Sequence, residues 1–380
     1  MCPLFHFEML MIKPIALICI LLLFCLTGLA QSDGIQYFVS PDGDNDNSGT
    51  SPSQPFRSIQ HALQLAQPGD TVHLGPGHYY QDVYTVRDGD PGQPITVVGT
   101  AKAVVHGLTS NRIFQVHHDY ISLIGFTIDG LRRNAEPNRM GAFREKLLYV
   151  IGYDTRDGVH HMRVLNMTFR NAGEECLRIK YFARHNEIAY STFHDCGIWD
   201  FVFDAHGVVG EAVYLGTSSK QWDINLTIEP DITAYNWVHH NVIDTQGNEC
   251  VEAKEGTAHN VIEYNICTGQ KDPNSGGIVS RGKANIIRYN EIHGSVGAGV
   301  RLGGHLVDGV QYGVENLVYG NIITENDAGG IKVLVDGQAL ICGNKLRDNA
   351  AGDMTGGFAE SYDGAQPCAS AAIGSGLASR

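Results

Sequence analysis

The chain has 380 residues, 45 of them glycine, and carries 41 acidic against 27 basic side chains, a formal net charge of −14. A field of that sign excludes nucleic acid and anionic membranes as partners held by overall charge, so a polyanionic ligand would need a local basic site. The length permits one large core.

In chain order, Pro14–Ala30 comes first, an uncharged apolar run ending in small residues before a polar, turn-rich stretch. It reads as the core of a secretory signal peptide over residues 1–30, cleaved near Ala30, with Met11 the more ordinary start. A membrane anchor is the competing reading. The expected location is secreted, or periplasmic in a bacterium, with no stable membrane insertion after cleavage. Removing the leader takes Cys2, Cys19 and Cys25 and leaves six of the nine cysteines. Sequence-neighbour disulfides (176–196, 250–267, 342–368) are one expectation and buried free thiols the other. Asn166 and Asn225 lie in glycosylation sequons, which matter only in a host that glycosylates.

Next, Phe56, Ile59, Leu63 and Ala66 recur at helical spacing and Pro68-Gly69 ends the run. The pattern predicts an amphipathic helix with one apolar face, within a capping region over residues 35–80. Beyond it the chain repeats. "HNVIEYNICTG", "ANIIRYNEIHG", "ENLVYGNIITEN" and "ALICGNKLRDN" each place an asparagine between two short apolar alternations. Their second asparagines, Asn265, Asn290, Asn321 and Asn344, are spaced by 25, 31 and 23 residues. Short β-segments at that spacing, without helical patterns between them, predict an all-β solenoid of about ten turns. Asparagine suits the recurring bend because it tolerates left-handed backbone and can hydrogen-bond its stacked copies. The solenoid is expected over residues 31–352 as one monomeric domain, followed by an Ala/Gly/Ser-rich tail, 353–380.

Aligning the turns on glycine and apolar positions makes six segments equivalent: 174–180, 210–216, 248–254, 275–281, 297–303 and 328–334. Their outward positions form columns. One holds Lys180, Gly216, Lys254 and Arg281; a second holds Arg178, Tyr214, Glu252, Val279, Arg301 and Lys332; a third holds Glu175, Glu211 and Glu249. Parallel strands lie about 4.8 Å apart, so Glu249, Glu252, Lys254 and Arg281 are expected to crowd one exposed face. Glu175, Glu211 and Glu249 could bind calcium through oxygen ligands, or could form a carboxylate ladder paired with Arg178 and Lys180. Both readings stand at this level.

The segment Tyr37–Tyr79 resembles the N-terminal cap of secreted right-handed parallel β-helix proteins of the pectate-lyase-like fold. "ECVEAK" followed by "GGIVSRGKAN" is similar to the active-site strands of the chondroitinase B and alginate lyase family of polysaccharide lyases. That resemblance implies Lys254 as the Brønsted base that removes the proton α to a uronate carboxylate. It implies Arg281 as the stabiliser of developing charge or of the leaving oxygen, and Glu249 as part of a calcium-binding group. Gly282 follows Arg281 where family members often have histidine, and Lys254 and Arg281 are 27 residues apart. A free lysine has a pKa of about 10.4, so Arg281 and partial burial are expected to lower that of Lys254. Arg301, Lys332, Tyr214 and Trp222 are the expected substrate contacts, and an acidic polysaccharide the expected partner.

A long interval between Asn186 and Asn241 predicts a loop walling the groove. Asp204 and His206 within it are acid–base candidates, and a glycosidase would pair Asp204 with Glu211, Glu249 or Glu252. The histidines, His206, His239, His240, His293 and His305, are expected on the surface or in turns. A non-catalytic glycan-binding solenoid is the third function class.

Overall fold

The computed structural model describes residues 34–369 apart from 154–155, 206–208 and 227. The expected signal peptide, His206 and the end of the expected tail lie outside the described residues.

Short strands stack in register into three parallel sheets of 11, 10 and 10 strands, and successive turns of the chain add a strand to each. Alternation explains the stacking. Leu177 and Ile179, Val251 and Ala253, and Val300 and Leu302 point inward and are fully buried, while the residues between them point outward. Among the described residues, no helix is long and apolar enough to cross a membrane.

Asparagine ladders bind the turns together. Each amide donates to the next carbonyl oxygen: Asn241 to Asn265 (2.9 Å), Asn265 to Asn290 (3.0 Å), Asn290 to Asn321 (3.0 Å) and Asn321 to Asn344 (2.9 Å). One expectation is corrected here. The left-handed residue at each bend is not the asparagine but the one before it: His240, Tyr264, Tyr289, Gly320 and Gly343 all have positive φ. The asparagine stays in ordinary backbone and turns its side chain inward. Asn265 also donates to the Val238 and Glu263 carbonyls and accepts from the Asn241 backbone. Asn265→Leu should therefore strand several buried polar groups and cost about 3 kcal/mol or more, read by denaturant unfolding.

The helix Ile59–Leu65 forms as predicted and buries Ile59, Ala62 and Leu63; Phe56 and Ala66 are also buried. Ser58 caps it by accepting from the His61 backbone at 2.9 Å, and it packs against the strands Gln36–Val39, Thr71–Leu74 and Val83–Tyr84. At the other end, the fold continues past residue 352. Met354–Thr355 pairs with Ile331–Lys332, and the Tyr362 hydroxyl donates to Asp336 at 2.9 Å.

The six cysteines among the described residues form the sequence-neighbour disulfides, Cys176–Cys196, Cys250–Cys267 and Cys342–Cys368. Cys176 follows Glu175 and Cys250 follows Glu249. The first two bridges close loops of 20 and 17 residues. Each should stabilise by about 3 kcal/mol and pins the start of a strand that carries column residues.

Candidate active site

The three outward columns exist in register. Arg178 pairs with Tyr214, Tyr214 with Glu252, Glu252 with Val279, Val279 with Arg301, and Arg301 with Lys332. The register Ala253↔Ser280 places Lys254 beside Arg281 although 27 residues separate them. The turn is long because it holds two further strands, Val261–Glu263 and Ile266–Thr268, and the connection before Gly276–Ser280. Val213↔Val251 likewise brings Glu211 beside Glu249.

Three carboxylates, Glu211, Glu249 and Glu252, place oxygens within 4.8 Å of one another. They are 1%, 3% and 2% exposed, and Lys254 is 8% exposed. Lys254 Nζ contacts Glu252 and lies 3.4 Å from Glu211; Arg281 Nη1 lies 3.5 Å from Glu252. Arg281 also grips the buried Glu255, its Nε donating to Oε1 at 2.7 Å. Ser275 donates its hydroxyl to Glu249, while the other Glu249 oxygen is buried with no hydrogen-bond partner.

The electrostatics follow from three buried acids sharing too few cations. Burial, with the nearby Glu252 and Glu175 charges, pushes the Glu211 carboxyl up to about 7 despite Lys254. Burial and the Glu252 and Glu211 charges raise Glu249 well above the usual carboxylate range. Burial also opposes ionisation of Glu252, but Lys254 and Arg281 outweigh it and hold that carboxyl down at about 2. Lys254 moves opposite to expectation. Burial favours its neutral amine, yet Glu252, Tyr214, Glu211 and Glu249 together raise it well above the ordinary lysine value. Lowering by Arg281 fails because Glu252 lies between the two cations and dominates both.

Residues 42–85 match a family described as a protein of unknown function (DUF1565). An uncharacterised protein of Bacillus subtilis (strain 168), YwoF, is 31% identical over 116 residues, 28% of this chain and 24% of that relative's length. Among solved structures, an alginate lyase from Paenibacillus sp. FPU-7 aligns with a TM-score of 0.62 at 19% identity, covering 78% of this chain and 95% of that one. A lacto-N-biosidase from Eubacterium ramulus aligns with a TM-score of 0.55 at 13% identity, covering 88% and 67%. The chain has the parallel β-helix fold.

On this β-helix the charged face is buried, not exposed as its sequence suggests. The 3₁₀ segment Ser219–Ile224 and the hairpin of Leu306–Val307 with Val310–Gln311 lie beside the site strands. They meet through Ser219 and His305 (3.1 Å) and through the Trp222 and Tyr312 rings (5.5 Å between centroids). Trp222 is thus a structural residue: it is 6% exposed and its indole donates to the Thr217 carbonyl at 3.1 Å. Tyr214 is 4% exposed, with Arg178 and Lys254 over its ring at 4.4 and 4.6 Å. Glu175 is engaged by Lys146 and Arg178, at 3.1 and 2.9 Å, and the third member of the carboxylate cluster is Glu252. Asp204 is exposed at the end of the helical turn Ile198–Phe201 and is not in that cluster.

Beside the cluster opens a cavity of about 300 Å³ lined by Lys220, Arg281, Arg301 and His305, with Gly304, Leu334 and Val335. Arg301 lines this cavity, and Lys332 pairs with it on the next strand. His305 is not an idle turn residue: it contacts Arg281 Nη2 and Glu255, each at 3.0 Å. Sequence reasoning missed Glu255, Lys220 and His305. Only Glu255 left a signal, as a third glutamate of the stretch 248–256, directly after Lys254.

The donors suit a hard divalent cation: three carboxylates, one with an unpartnered oxygen, and a hydroxyl at Ser275. Lys254 already supplies one positive charge to the same carboxylates.

Proposed function

We propose that this protein is a secreted polysaccharide lyase that cleaves a uronate-containing glycan by β-elimination. The observation that carries the reading is the meeting of two environments at Arg281. That residue lines the cationic cavity with Lys220, Arg301 and His305 and also faces the Glu211–Glu249–Glu252 cluster through Glu252. A basic pocket on a chain of net charge −14 attracts an acidic sugar locally, which the protein's overall field would not do.

In this reading the cavity cations bind the uronate carboxylate and spread the charge that develops when its α-proton leaves. Lys254 takes that proton, the bond to the leaving glycosidic oxygen breaks, Arg281 stabilises that oxygen, and the oxygen takes a proton from water or from the protonated Lys254 to become a hydroxyl. The products are an unsaturated uronate and a new reducing end. A divalent cation on Glu211, Glu249 and Glu252, calcium by the oxygen donors, would neutralise the charges that now keep Lys254 protonated. Tyr214 fixes the amine's position from beneath. A hydrolase reading would draw its carboxyl pair from the same cluster, Glu211, Glu249 and Glu252.

The test incubates the mature protein with pectate, alginate, chondroitin and ulvan, with calcium and with chelator, following the ultraviolet absorbance of unsaturated uronate. One polymer is expected to give the absorbance in calcium. New reducing ends without it would establish hydrolysis instead, and binding without either product would make the protein a non-catalytic glycan binder.

A further inference from the structure

Lys180 is a cation on this face whose ammonium has no carboxylate partner among the described residues. It stands in the column of Lys254: backbone hydrogen bonds run from Gly216 N to Ile179 O (2.7 Å) and from Lys254 N to Leu215 O (3.0 Å). Lys180 and Lys254 are therefore two strand spacings apart, about 10 Å. Only Gly216 lies between them. Gly216 has φ +82°, and a Cβ built there would meet Thr257 Cγ2 at 2.5 Å, so the column carries no longer side chain of its own between the two lysines.

Among the described residues, Lys180 makes no ion pair or hydrogen bond; its Nζ lies 4.9 Å from the centre of the Tyr181 ring. The nearby anions are committed elsewhere. Glu175 is shared by Lys146 and Arg178. Asp231 accepts from the Tyr181 and Phe182 backbone (2.9 Å each) and from the hydroxyls of Thr217 (2.7 Å) and Thr233 (2.8 Å). Arg178 and Arg112 add positive charge around Lys180, Arg112 lying 3.9 Å over the Tyr149 ring. A half-buried lysine near Arg178, whose neighbouring acids Glu175 and Asp231 already hold other partners, can accept a further anion.

We infer that Lys180 binds the carboxylate of a second uronate of the polymer, on the far side of Gly216 from the sugar held at Lys254 and Arg281. This rests on the lyase reading above and extends it: the enzyme reads at least two acid groups on one chain, so it requires an acidic polymer and not a single acidic sugar. The charge state of the lysine agrees. Burial, with Arg178 and Arg112, pushes its ammonium down to about 8, and a bound carboxylate would restore it.

The experiment compares wild type, Lys180→Ala and Lys180→Arg on polyuronate and on an oligouronate too short to span both positions. A charge-assisted contact of this kind corresponds to about a tenfold change in KM. Lys180→Ala should raise KM on the polymer by that factor, leave kcat nearly unchanged, and have no effect on the short substrate. Lys180→Arg should restore the polymer KM. The melting temperature of Lys180→Ala should be unchanged or higher, since an unpaired cation is removed from beside two arginines. Equal KM values for wild type and Lys180→Ala on the polymer, or an equal defect on long and short substrates, would overturn the inference. Affinity electrophoresis through polyuronate gels separates the two failures. If wild type is retarded more than Lys180→Ala but releases no unsaturated product, the lyase reading fails and the Lys180 contact stands. Equal retardation beside normal turnover sinks the Lys180 contact alone, and a wild type neither retarded nor active sinks both.

Discussion

Lys254→Arg is expected to abolish elimination, lowering turnover by about a thousandfold, while leaving the fold intact. The substitution divides two roles that Lys254 holds together. Its first role is electrostatic, as the cation between Glu252 and Glu211. Arginine keeps that charge at every accessible pH, but for the same reason it cannot take up a proton. Lys254→Ala is the harsher variant. It removes both roles and strands Glu252 with Arg281 as its one remaining cation, so its carboxyl should rise from about 2. Breaking a buried pair in this way costs about 3–5 kcal/mol, and loss of activity in the alanine variant alone would not separate chemistry from unfolding. Near-wild-type turnover in Lys254→Arg, measured beside an unchanged melting curve, would remove Lys254 from the reaction.

The fold was legible because an in-register stack repeats its rules. Once "N-x-I" marks one bend, parallel pairing carries every neighbouring residue into a column, and the columns containing Arg178, Glu252 and Arg301 follow from alternation alone. The left-handed position was misplaced by one residue because both asparagine and the residue before it recur, and only the φ angles distinguish them. The charges of the site were equally legible, since Glu249, Glu252 and Lys254 are costly in a strand unless they serve a purpose. Their environment was not. Segments 219–224 and 306–311, distant in sequence, meet beside the site through Ser219–His305 and Trp222–Tyr312, and the Ser219 backbone donates to the buried Glu255. The same meeting turned Trp222 into a packing residue. The charge state of Lys254 depends on the small separation between its Nζ and Glu252, which column membership does not specify.

Glu211→Gln is expected to flatten a pH dependence of stability that the metal-free wild type shows between about pH 4.5 and 7. The sign follows from the direction of the shift. An acid whose folded pKa lies above its unfolded value binds its proton more tightly when folded, so it adds stability at low pH and loses it as pH rises through the folded pKa. Glu211 moves from 4.5 to about 7, which is on the order of 3 kcal/mol lost across that window. Glu249 is raised as well and extends the loss upward. Glu252 has the opposite sign: held at about 2, its contribution disappears only as pH falls to that value. Histidines run against Glu211. Burial pushes His106, His117, His118 and His239 down, so their contributions are lost as pH drops below the ordinary 6.5. The informative quantity is therefore the difference between the pH profiles of wild type and Glu211→Gln, because glutamine imitates the protonated carboxyl and leaves those histidines in place. Calcium should raise the melting temperature of wild type more at pH 8 than at pH 5, where protons occupy the same oxygens, and chelator should reverse it. Parallel wild-type and Glu211→Gln profiles would show that Glu211 titrates normally in the folded protein. A calcium response equal at both pH values would place the cation elsewhere than on Glu211, Glu249 and Glu252.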